Sequence, residues 1–153
     1  MTVSFKVRNK DRLYSKLAKL APAASKELEQ AAGQSAKEMT SLAQSYVPVE
    51  SGDLHDSIVA TPPGGTPPDH SQGARKVPKG AWMVTAGNNA VRYPHLVEYG
   101  AKAHKAGGKF AGAAHPGAPA QPYFWPSYRL VRRKHRSRAT RAINKSIKDV
   151  AKR

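Results

Sequence analysis

The sequence predicts an α+β fold in which a small, mainly antiparallel sheet packs on one long helix and a basic amphipathic helix closes the chain. Apolar residues recur every three or four positions over 22–46 and again over 123–151, which is typical of amphipathic helices. The stretches 61–80 and 101–121 are rich in Gly and Pro and predict long projecting loops. With 153 residues in total, we expect a single domain over 1–153.

The N-terminal part of the chain predicts a strand followed by two helices. Residues 3–8 alternate apolar and polar side chains, the pattern of a half-buried strand. Three leucines then share one face of a short helix: Leu13, Leu17 and Leu20. Proline lacks the backbone N–H of a helix interior but suits a first turn, so we expect a separate long helix to begin at Pro22. Tyr46 should end it, because Val47 precedes a proline and is disfavoured from the helical region.

The segment after this helix is predicted to be a structural junction. Pro48 stops the long helix, and Gly52 permits a tight turn. Leu54 and Ile58 should enter the core from a strand that also contains Val59. The junction would therefore connect the long helix to the sheet.

A second strand and a short apolar segment follow the first long loop. Residues 81–86 have strand character, and 87–89 form a turn. Residues 93–100 are apolar and end in glycine, but are too few to be assigned to a strand or a helical turn. Within them lies Glu98, the only acid between Asp69 and Asp149, which we expect to pair with an arginine rather than to act as a general acid.

Catalytic and cofactor sites are not indicated by any motif. The chain has no cysteine, which excludes disulfides, thiolate metal sites and thiol catalysis. The six histidines form no HExxH pattern, and no glycine elbow surrounds the serines of 51–53 or 55–57. Neither Gly64-Gly65 nor Gly107-Gly108 precedes a Lys-Ser or Lys-Thr pair, as a phosphate-binding loop would. We therefore expect a protein that is not an enzyme and that holds no metal or cofactor.

The positive charge is the strongest physical signal. Lys and Arg number 26 against 10 Asp and Glu, giving a formal charge of +16. Residues 129–153 hold 11 bases and one acid. Six bases lie off the apolar stripe of this helix: Arg132, Arg133, Arg136, Lys145, Lys148 and Lys152. The first five are the candidates for the assembly interface. Such a one-sided face favours an anionic partner, either acidic protein or nucleic-acid phosphate, over a merely solubilising surface. Because no apolar run approaches the roughly 18 residues of a membrane span, we expect no membrane partner.

Three segments together resemble one known family. They are Tyr46-Val47-Pro48-Val49-Glu50-Ser51-Gly52-Asp53-Leu54-His55-Asp56-Ser57-Ile58, then Tyr93-Pro94-His95-Leu96-Val97-Glu98-Tyr99-Gly100, then Pro119-Ala120-Gln121-Pro122-Tyr123-Phe124-Trp125-Pro126. In order and spacing they are similar to the signatures of the head-tail joining or tail-completion (neck) proteins of long-tailed double-stranded-DNA bacteriophages. The resemblance runs from about residue 10 to the C-terminus. Glu50 and Ser51 stand where the family usually has Asp and Thr, and Ala101 where Thr is common.

The resemblance implies a structural protein of the virion neck, assembled in the host cytoplasm. It implies a homo-oligomeric ring, expected to be a hexamer, between a head-side connector or stopper and the tail terminator or tail tube, with a channel for genomic DNA. Apart from the five bases above, the candidates for the assembly interface are Tyr93, Glu98, Tyr99, Phe124 and Trp125. The alternative is a basic nucleic-acid-binding protein that uses the Arg/Lys-rich C-terminal helix, although an interleaved aromatic surface is missing there.

Overall fold

Two long helices and two small sheets make up the structure, a computed structural model that describes residues 10–68, 76–105, 107–108 and 111–152. The helices are α1 (Lys10–Tyr46), α2 (Asp53–Asp56), α3 (Pro94–Tyr99) and α4 (Phe124–Lys152). The strands are β1 (Val59–Thr61), β2 (Met83–Thr85), β3 (His104–Lys105) and β4 (Ala114–His115). The fold is α+β, as the sequence predicts. The strand expected at 3–8 lies outside the described residues.

One continuous helix, α1, replaces the two helices expected on either side of Pro22. The sequence-based boundary was wrong because the apolar stripe of Leu17, Leu20 and Ala24 continues across the proline at helical spacing. The last turns of α4 also lie beside this part of α1, with Val150 next to Pro22. Leu20 and Ala24, on either side of the proline, are partly buried, and this packing offsets part of the roughly 3 kcal/mol that a proline costs in a helix interior. The predicted end at Tyr46 is confirmed.

The helices α1 and α4 run antiparallel and in contact over most of their length. Lys16 near the start of α1 donates to the carbonyl of Ala151 near the end of α4, at 3.0 Å. Further along, Lys145 meets Glu27 and Lys134 meets Glu38. At 1.5 Å per residue, α1 is about 55 Å long, so this helical pair is the long axis of the protein.

Among the described residues, the sheet next to α1 consists of β1 and β2, paired antiparallel with Ala60 opposite Val84. The strand expected to include Leu54 and Ile58 was wrong at its start, because Asp53–Asp56 form the single helical turn α2 and β1 begins at Val59. This turn hydrogen-bonds Ser57 back to Asp53, which an extended chain cannot do.

The two Gly/Pro-rich loops are not entirely projecting. In the first, Val77 is buried and exchanges backbone hydrogen bonds with Gly64 and Gly65, so its two limbs are tied together. In the second, β3 and β4 pair as a hairpin, and Ala101 bridges Ala118 at its base. Backbone hydrogen bonds therefore order parts of these loops, which have few apolar side chains to pack.

The core lies where the C-terminal end of α1, the junction and the start of α4 meet. Its buried members are Ala43, Val47, Leu54, Ile58, Val91 and Tyr123. Leu54 and Ile58 are 4% and 1% exposed, so their predicted place in the core is confirmed. The core is thus built from segments far apart in the sequence, which fixes the junction against both α3 and α4.

Candidate assembly surface

A buried carboxylate joins α3 to the start of α4. Glu98 is 6% exposed, and one carboxylate oxygen accepts hydrogen bonds from the backbone N–H groups of Tyr123 and Phe124, each at 2.8 Å. The other oxygen accepts from the N–H of Trp125 at 3.2 Å. These donors have no partner within a helix, and a negative charge there is favoured by the helix dipole. Glu98 therefore acts as a capping group supplied from another helix.

The expected pairing of Glu98 with an arginine was wrong: within the described residues, its partners are these three N–H groups. The short apolar segment that could not be assigned is α3, and its last turn aims Glu98 at α4. Burial, and then the charge of Glu98, raise the pKa of Tyr123 to about 12.

Aromatic side chains surround this cap. The indole N–H of Trp125 donates to the hydroxyl of Tyr99 at 2.6 Å, a second link between α3 and α4. The ring of Phe124 meets that of Trp125 edge to face, with centroids 5.7 Å apart. Tyr99 is 66% and Trp125 44% exposed, while Tyr93 lies on the same side and is also exposed. The predicted interface aromatics are therefore brought together at one end of the molecule and lie largely at its surface.

The junction is held by backbone geometry and two polar side chains. Gly52 has a φ of 89°, a left-handed conformation that glycine adopts without strain. Gln44 of α1 donates to the carbonyl of Ile58 at 3.2 Å. Ser57 is buried, donates to the carbonyl of Leu54 and accepts from the N–H of Gly87 at 3.1 Å. The end of α1 is thereby tied to the turn after β2.

An apolar groove of about 330 Å³ opens between the junction and α3. Pro48 and Leu54 line one side, and Leu96 and Val97 the other. Glu50 lies at its edge. We call this the junction groove. It brings together all three segments that carry the family resemblance, because its lining comes from 48–54, 93–101 and 115–121.

Several bases of α4 are paired with acids of α1. Glu38 contacts both Lys134 and Arg138, and hydrogen bonds from Lys134 and then Arg138 hold its pKa below the ordinary value. Glu27 lies 3.0 Å from Lys145, and this hydrogen bond raises the pKa of Lys145. Part of the anionic surface that the basic helix meets is therefore α1 of the same chain.

The structure divides the five predicted bases of α4 into two groups. Lys145 is engaged with α1, whereas Arg132, Arg133, Arg136 and Lys148 are exposed and pair with no acid of the described residues. Sequence reasoning missed Glu38 and its two partners, although the spacing of Lys134 and Arg138 by four residues was a signal that they share a helix face.

The polar residues with hydrolase-like identities do not converge on a nucleophile. His55 contacts Asp56 at 2.8 Å, and Ser51 donates to Asp53 at 2.6 Å, both at the surface. In the paired strands β3 and β4 of the second loop, the rings of His104 and His115 stack with centroids 4.9 Å apart. Across the described ranges, no three His, Asp or Glu side chains are grouped as metal ligands would be. None of the described helices is long and apolar enough to cross a membrane.

A comparison with known protein families shows the class of protein to which the chain belongs. A family model described as "Bacteriophage HK97-gp10, putative tail-component" matches residues 11–100, which places the chain among the structural components of phage tails. The chain belongs to this HK97-gp10-like family. The matched range contains α1 from its second residue, the junction, β1, β2 and α3 with Glu98. No curated protein and no solved structure matches the chain.

The family match confirms the resemblance to phage tail and neck proteins. The first two of the three resembling segments lie inside the matched range, and the third, at 119–126, lies beyond it. Its link to the family part is structural, since Glu98 from the second segment caps the helix that the third begins.

Proposed function

We propose that this protein joins the DNA-filled head to the tail in the phage neck. It assembles as a ring, six-fold by the resemblance, between a head-side connector or stopper and the tail terminator or tail tube, and the ring leaves a channel for genomic DNA. The observation that carries the proposal is the match of residues 11–100 to a phage tail-component family.

The surface chemistry supports an assembly role. Tyr93, Leu96, Tyr99 and Trp125 are large apolar side chains that stay exposed around one end of the molecule. Aromatic residues are enriched at the centres of protein interfaces. Their exposure beside the buried cap of α4 is a reason to expect neighbours at this end.

The role proposed is structural and not catalytic. The hydroxyl of Ser57 is buried and engaged with two backbone groups, so it is not presented to a substrate. His55 bonds to the adjacent Asp56, and both lie at the surface of α2 rather than in a cleft. A general base beside an accessible nucleophile, which such catalysis needs, is not formed by these residues.

Charge reversal of exposed arginines tests the joining function. Arg132, Arg133 and Arg136 are changed to Glu in the phage, and the lysate is examined by electron microscopy. We expect separate filled heads and tails, because the reversed face repels the acidic surface of a neighbour. Lys26→Glu, an exposed change on α1, is the control and should give complete particles. Complete particles from the triple variant would contradict this use of α4.

Duplex binding is the second candidate, favoured by the row of arginines on α4 that lack an acidic partner in the described structure. If phosphate were the main target, affinity for duplex DNA would fall with log salt with a slope of about −0.9 per phosphate neutralised. We favour the protein neighbour, because the duplex must slide through the channel. Tight duplex binding at physiological salt, with normal assembly by the triple variant, would reverse this order.

A further inference from the structure

Three of the exposed acids that the structure describes lie at the junction: Glu50, Asp53 and Asp56. Glu27 and Glu38 are used by α4, and Glu98 is buried. Glu50 and Asp53 are exposed beside the junction groove, and Asp53 accepts a hydrogen bond from Ser51, which lines that groove. The groove is thus an apolar recess with a negative edge.

A complementary surface lies on α4. Arg129, Arg133 and Arg136 are spaced by four and three residues, so they share one face of the helix. Leu130 lies beside Arg133 on the same side and is 54% exposed. We call Arg129, Leu130, Arg133 and Arg136 the arginine–leucine face. None of its arginines is paired with an acid of the described residues.

We propose that the arginine–leucine face of one copy docks on the junction groove of the next copy. Leu130 enters the recess between Leu54 and Leu96, while Arg129 and Arg133 meet Glu50 and Asp53 at its edge. The proposal rests on the proposed ring and names the contact that builds it. A second copy is the occupant because it carries the apolar side chain and the opposite charges that the groove requires.

The chemistry of the two surfaces also determines the type of assembly. The groove and the helix face are different parts of the chain, so a contact between them is head-to-tail. Repeated head-to-tail contacts close into a ring when the rotation between neighbours divides a full turn. The contact would stay weak in an isolated pair and gain from closure, because each copy then contributes both surfaces.

A charge-swap experiment tests the contact. The groove variant is Glu50→Arg with Asp53→Arg, and the helix variant is Arg129→Glu with Arg133→Glu. Each alone should weaken self-association at least about tenfold, because like charges then face each other. An equimolar mixture of the two, or all four changes in one chain, restores opposite charges at every contact and should restore the ring.

Two controls separate this contact from general charge effects. Arg141→Glu with Lys152→Glu makes the same change of charge on α4 outside the arginine–leucine face, and should leave the ring intact. Since the chain has no cysteine, Leu96→Cys with Leu130→Cys in one chain should form intermolecular disulfides on oxidation. Leu17→Cys with Leu130→Cys uses another exposed leucine and should not.

The readouts are analytical ultracentrifugation of the purified chain and the copy arrangement in particles. The proposal is supported if the wild type forms a ring, the groove variant and the helix variant each fail to form one alone, and their equimolar mixture forms it again. A wild-type ring that both variants keep overturns the contact but leaves the ring intact. A wild-type chain that is monomeric both alone and in particles overturns the proposed ring, and this contact with it.

Discussion

Among single residues, Glu98 is important to the structure, and its partners are not evident from the sequence. Glu98 stands out in the sequence as the only acid in a long stretch, with apolar neighbours on both sides. Its partners could not be predicted, because backbone N–H groups leave no trace in side-chain identity. Only the packing of α3 against the start of α4 shows that Glu98 is a cap.

Removal of the charge on Glu98 should destabilise the fold. In Glu98→Gln, an amide group must face N–H donors, and the charged acceptor at the helix start is lost. We expect the free energy of unfolding to fall by about 1.5–3 kcal/mol. Urea unfolding measures it, with Glu29→Gln on the exposed side of α1 as the control. A loss for Glu98→Gln no larger than for the control would show that the cap contributes little.

A glycine should be required at position 52 because of its positive φ angle, and not because a side chain would lack room there. A Cβ atom at this position would meet no atom within 4 Å, so only the φ of 89° opposes a larger residue. Gly52→Val should therefore lower the free energy of unfolding by about 1–2 kcal/mol. Gly107 has equal space but no positive φ, so Gly107→Val is a matched control. Equal thermal midpoints for the two variants would refute the explanation.

At the scale of elements, sequence periodicity predicted where helices lie better than where they begin. The end of α1 at Tyr46 was predictable, because Val47 precedes a proline. The passage of α1 through Pro22 was not, because it depends on α4, which lies more than a hundred residues away in the sequence. The turn α2 was missed because Leu54, Ile58 and Val59 fit a strand equally well. The backbone hydrogen bonds from Asp56 to Gly52 and from Ser57 to Asp53 form a helical turn instead.

The contact between α1 and α4 should depend on pH through Glu38. Its pKa is lowered in the folded state, from an ordinary value of 4.5, first by the hydrogen bond from Lys134 and then by that from Arg138. A lowered pKa stabilises the fold above pH 4.5, and this contribution is lost as the pH falls through the folded-state pKa.

The corresponding measurement compares the wild type with Glu38→Gln by urea unfolding between pH 7 and pH 3. We expect a difference of about 1–2 kcal/mol at pH 7, because one partner lies partly in solvent, and a smaller difference towards pH 3. Glu29→Gln should give a difference that does not change in this way. A Glu38→Gln effect that is constant over the whole pH range would exclude the ion pairs as its cause.

For the molecule as a whole, the sequence shows where the positive charge lies but not which of the bases are paired within the chain. The excess of bases in α4 could be counted directly. The division of these bases could not be predicted, because Glu27 lies 118 residues before Lys145 and Glu38 lies 96 residues before Lys134, and nothing local relates them. What remains exposed after this internal pairing includes the arginine row on one face of α4, which is the surface that we propose contacts neighbours.

The proposed ring between head and tail can be observed in the virion itself. An electron cryo-microscopy reconstruction of the neck of the intact particle would show it, with the chain identified by its α1–α4 helical pair. We expect a closed ring of this chain, six-fold by the resemblance, surrounding the DNA channel between the head-side connector and the tail. A neck in which this helical pair is absent, or present as a single copy outside the channel wall, would contradict it.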